Sequence, residues 1–71
     1  MPRKIRELKA DLRRAGFGEL RGRGKGSHSF WRHPLFRDLR AILAGRDGQD
    51  AKDYQEEQVA AVIAEAEKRR A

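Results

Sequence analysis

Cysteine is absent from this 71-residue sequence, so neither a disulfide framework nor a thiolate zinc site can staple the fold. Two histidines alone rarely make a structural metal site, and no metal or other cofactor is expected. Long apolar runs are missing too. Nothing approaches the ~18 residues of a membrane span, and Met1-Pro2-Arg3-Lys4 is not followed by a signal-like apolar stretch, so a cytoplasmic protein without membrane contact is expected. A chain this short makes one domain, residues 1–71, and buries only about 60% of the surface it exposes when unfolded. Its core must be thin, and packing or a partner must stabilise it.

Acidic residues are scarce in the first two thirds of the chain. From Met1 to Arg46 there are 13 Lys or Arg against 4 Asp or Glu; from Asp47 to Ala71 there are 4 against 7, within a net charge of +6. A surplus of positive charge on a small surface attracts polyanions, of which nucleic acid is the commonest.

That basic part contains one unusual stretch, from Gly22 to Pro34, holding both histidines and the only tryptophan. Glycine at every second position from Gly22 to Gly26 permits close backbone approach to a ligand, and Arg23 and Lys25 supply charge between them. Such a segment suits a phosphate. Ser29-Phe30-Trp31-Arg32 then favours a strand, which puts His28 where the basic segment meets a more rigid element. Period-two geometry sends His28, Phe30 and Arg32 to one face and Ser29, Trp31 and His33 to the other.

Along the chain, Ile5, Leu8, Leu12 and Ala15 fall at helical spacing and predict an amphipathic helix from about Lys4 to Ala15, ended by Gly16, with Phe17 folded back on its apolar stripe. Glu19-Leu20-Arg21 is a candidate edge strand, Ser27 to His33 a second strand closed by Pro34, and Asp38 to Ala44 a third ending at Gly45. After a polar, glycine-punctuated loop, Asp53 with Glu56 has capping-box spacing, and Val59, Val62, Ile63 and Ala66 predict a helix to about Arg69. The expected fold is α+β: α-β-β-β-α, a three-stranded antiparallel sheet with two helices on one face and the other left to solvent or a ligand.

Leu12-Arg13-Arg14-Ala15-Gly16-Phe17, Lys25-Gly26-Ser27-His28 and Trp31-Arg32-His33-Pro34 make the chain resemble the HicA family of toxins from toxin-antitoxin pairs, over roughly Lys4 to Ala44. The resemblance implies a double-stranded-RNA-binding-domain-like fold and an endoribonuclease that cleaves mRNA and is neutralised by a HicB-like antitoxin. It makes His28 the catalytic position and Trp31 a core residue. Where family members approach the last helix through lysine and glycine, this chain has the acidic Asp47 to Asp53.

RNA cleavage without a metal needs a base for the ribose 2′-hydroxyl and cationic donors for the charge that develops on phosphorus. His28 can be that base, with Arg23, Lys25, Gly26, Ser27 and Arg32 as the phosphate-binding set, while Phe30 shares its face and could stack on a base. His33, on the opposite face beside Pro34, is expected to hydrogen-bond the turn. The competing readings are a non-catalytic RNA-binding module of the same fold and a basic domain that docks an acidic protein.

Overall fold

The computed structural model describes residues 2–21 and 27–70. The elements follow the expected order: α1 (Ile5–Arg14), β1 (Gly18–Leu20), β2 (His28–Arg32), β3 (Arg40–Ala44) and α2 (Asp53–Arg70). The strands form one antiparallel sheet in the order β1-β2-β3. Each strand is shorter or shifted by a residue or two relative to the sequence pattern, because pairing rather than β propensity decides where a ladder stops.

Helix α1 ends as its sequence dictates. Gly16 takes φ +95°, its N–H bonds Arg13 O (3.0 Å), and the Phe17 N–H bonds Leu12 O (2.9 Å), the pair of reversed bonds of a Schellman motif. The turn drives Phe17 into the core beside Leu12. At the other end of α1 the orphan N–H groups find distant partners: Ile5 N–H bonds Gln49 O (2.9 Å) and Arg6 N–H bonds Asp47 O (3.1 Å). The acidic loop before α2 is therefore docked on the start of α1. Ion pairs Lys9–Asp47 (2.7 Å) and Lys4–Asp50 (2.5 Å) and the Ala51 N–H to Arg3 O bond (2.6 Å) fasten it there. Lys9 beside Asp47 holds that carboxyl below the usual carboxylate range.

The core is one cluster in which Ile5, Leu8 and Leu12 of α1 and Val59 and Ala66 of α2 meet Trp31, Ala41 and Leu43 of the sheet. Both helices thus cover the same sheet face. Trp31 is 1% exposed, its Nε1–H donates to Ser29 Oγ (3.1 Å), and the Arg13 guanidinium lies 5.0 Å from its ring centroid.

Helix α2 does more than cover the sheet. Gln58 accepts from Ile42 N–H (3.0 Å) and donates to Ile42 O (3.1 Å), pairing both outward groups of that residue as a further strand would. Gln55, 2% exposed, donates to Ala44 O (2.8 Å) and accepts from Lys52 N–H (2.8 Å). The edge of β3 is closed by these two amides. The helix cap also moves by one residue from its expected place. Asp53 is the first helical residue, and the side chain that reaches back three positions is Gln55 rather than Glu56.

Candidate functional site on the uncovered sheet face

Strand β2 divides its side chains as period two requires: Ser29 and Trp31 are buried against the helices, whereas His28 is exposed and Phe30 and Arg32 are partly exposed on the far side. Cross-strand register extends that far side into rows. His28 faces Ala44; Leu20, Phe30 and Ile42 form an apolar row; and Gly18, Arg32 and Arg40 form a cationic one. Along the strand, His28 to Phe30 and Phe30 to Arg32 are each steps of about 7 Å.

A groove of about 490 Å³ runs over this face, lined by Leu20, Phe30, Arg32, Arg40, Ile42 and Gln58 among others, with no carboxylate in its wall. A second hollow of about 390 Å³ continues past Arg32 to Pro34 and Arg37. Arg32 and Arg40 stand directly opposite each other, and neither takes part in an ion pair among the described residues. Arg32 Nε is buried without a hydrogen-bond partner among them. Like charges placed opposite one another on a sheet cost stability.

The remaining expected site residues divide between described and undescribed positions. Ser27 is exposed in the turn just before β2, and its carbonyl accepts from Gly45 N–H (3.3 Å). Arg23, Lys25 and Gly26 lie outside the described residues. His33 is buried on the opposite side from His28. Its Nδ1 accepts from Leu35 N–H (3.1 Å) and Phe36 N–H (3.4 Å), and its ring stacks on Phe36 and meets Phe17 edge-on. It is a turn-forming residue, as its position beside Pro34 suggested. Nearby, Arg69 bonds Asp38 through two nitrogens (2.9 Å each) and holds that carboxyl below its usual range. Among the described residues no cluster of three or more histidine, aspartate or glutamate side chains could hold a metal ion.

Arg40 and Ile42 are members of this face that the sequence pattern did not single out. Their signal was available in principle: once the third strand pairs with β2, alternate residues from Arg40 onward fall beside Arg32 and Phe30.

The other large groove, about 650 Å³ between α1 and α2, has the opposite electrostatics. Asp11, Glu56, Glu57 and Glu67 line it, and its two cations, Arg3 and Arg14, both pair with Asp11. It does not suit a polyanion. The described helices include none long and apolar enough to cross a membrane.

No family model, curated protein or solved structure matches this chain.

Proposed function

We propose that this protein is a HicA-like toxin, an endoribonuclease that cleaves mRNA in the cytoplasm with His28 as its general acid/base, held in check by a HicB-like antitoxin. The observation that carries the reading is that His28 stands exposed on the one sheet face the helices leave uncovered, in line with Phe30 and Arg32. A base there can reach RNA lying on a basic surface, and the buried Ser29-Trp31 side fixes the strand that presents it.

In this mechanism the His28 imidazole takes the proton of a ribose 2′-hydroxyl, and the freed oxygen attacks the adjacent phosphorus. The bond from phosphorus to the 5′ oxygen breaks, and that oxygen takes up a proton, from the imidazolium or from water. The imidazole that accepts a proton in the first half of such a cycle can return it in the second. Arg32, with Arg23, Lys25, Gly26 and Ser27, supplies donors for the phosphate oxygens. An acidic antitoxin surface placed over the same face would block RNA by occupying it.

The test is cleavage of a labelled RNA by purified wild type and His28→Ala. The variant is expected to lose about 10²- to 10⁴-fold in rate, the usual worth of general acid/base help, with an unchanged circular-dichroism spectrum. Retained cleavage in clean His28→Ala protein removes His28 from the mechanism. Tight RNA binding with no cleavage by either protein replaces the nuclease with a binding module.

A further inference from the structure

Three features of the open face bear on which form of RNA it takes. Its size is small: three strands span about 10 Å and five residues about 17 Å. Its centre is apolar, with Leu20, Phe30 and Ile42 side by side across the strands and Ile42 46% exposed. Its flank is cationic, with Arg32 and Arg40 opposed in a groove whose wall holds no carboxylate, and with Arg37 beyond Arg32 in the adjoining hollow, where Glu19 is the one acidic residue. A base-paired duplex hides the flat faces of its bases and is held by shape over about 16 base pairs through its backbone. Neither the apolar row nor an area of this size is of use to it. An unpaired strand offers bases that stack on an aromatic ring, and a four-stranded sheet with such rings takes two or three of them.

We infer that the uncovered sheet face is a platform for single-stranded RNA, with an unpaired base stacked on Phe30 between Leu20 and Ile42, and a neighbouring phosphate between Arg32 and Arg40. The phosphate relieves the repulsion of the two guanidinium groups. The helical side contributes no alternative surface, because its groove is lined by Glu56, Glu57, Glu67 and Asp11. The inference rests on the reading of the protein as an RNA-directed nuclease, and it adds the form of RNA and the residues that select it.

The experiment measures binding rather than cleavage. In a His28→Ala background, fluorescence anisotropy with a labelled 12-nucleotide single strand and with a duplex of the same length compares the two forms at several salt concentrations. The single strand is expected to bind tighter. Phe30→Ala is expected to weaken it by about 5- to 150-fold, the range for loss of one base-aromatic stack. Arg40→Glu, an exposed position that leaves the core untouched, is expected to weaken it as well, and Arg40→Ala to lower the slope of log affinity against log salt by about 0.7. Glu67→Gln, in the helical groove, is expected to change nothing. Tighter binding of the duplex overturns the inference, as does wild-type affinity in both Phe30→Ala and Arg40→Glu, or no binding to either RNA. Single-strand binding that depends on Phe30 and Arg40, in a protein whose His28-intact form does not cleave, upholds this inference and refutes the nuclease.

Discussion

Replacing Gln58 tests whether two side-chain amides hold the edge of β3. Gln58→Leu keeps a side chain of similar bulk, one atom shorter and apolar, and leaves Ile42 N–H and C=O, now bonded at 3.0 and 3.1 Å, without their partner. A net intramolecular hydrogen bond contributes about 0.5–1.5 kcal/mol, so two amount to about 1–3 kcal/mol; Gln58 is half-buried, so water recovers part of this and about 1–2 kcal/mol is expected. For a domain of this size each kcal/mol lowers Tm by about 4–8 °C. Trp31 is the only tryptophan and is buried, so its fluorescence during urea titration reports the transition.

A second substitution removes ambiguity. In Gln58→Glu the carboxylate can accept from Ile42 N–H but faces the carbonyl oxygen without a proton to offer. Its neutral form can make both bonds. The folded state therefore raises that carboxyl above its unfolded value, so the folded protein binds more protons and the variant gains stability relative to wild type as pH falls from 7 toward 4. A Gln58→Leu midpoint matching wild type, or a Gln58→Glu deficit that does not shrink in acid, refutes the role given to this amide.

Trp31→Ala should cost about 3–5 kcal/mol, which approaches the whole stability of a domain holding roughly 4–10 kcal/mol, and its thermal melt should be broad or absent at 37 °C. His33→Leu should cost about 2–3 kcal/mol, because it removes the acceptor for Leu35 and Phe36 and two ring contacts, whereas His33→Asn, which keeps an acceptor, should lose less; equal losses in urea titrations would argue against the turn bonds. Asp38 is held below the usual carboxylate value of 3.8 by Arg69, so the pair's contribution is present above that value and is lost as pH falls through the lower folded value. The Tm difference between wild type and Asp38→Asn should accordingly close in acid, and a difference that persists at pH 2 would refute the pairing.

The sequence carried the parts of the fold that rest on local periodicity. Ile5, Leu8 and Leu12 announce α1, Gly16-Phe17 announces its end, and the alternation from His28 to His33 assigns each side chain to the correct sheet face. What it did not carry depends on residues far apart in the chain. Gln55 and Gln58 look like solvated helix positions until β3 is beside them, and Arg40 looks like the polar start of an apolar run until it is paired with Arg32. The acidic Asp47 to Asp53 reads in sequence as a free, solvated loop. In the fold Asp47 and Asp50 are taken up by Lys9 and Lys4, so part of the basic surplus is neutralised internally, while Arg32 and Arg40 on the open sheet take part in no ion pair among the described residues.

The docking of residues 47–51 on the start of α1 has a consequence for kinetics. The backbone bonds and the Lys4–Asp50 pair join positions more than forty residues apart with the strands between them, so closing this contact carries the loop-closure entropy of most of the chain unless the sheet has already formed. A polar contact of that separation is expected to form late and to show a low φ-value, which chevron analysis of the variants measures. Loosening them, by Asp50→Asn or by trimming Pro2-Arg3-Lys4, leaves the folding rate nearly unchanged and shows almost entirely as faster unfolding. The clasp thus bears on how long the folded chain lasts rather than on how fast it forms, so a few residues far from the open sheet face govern its kinetic stability.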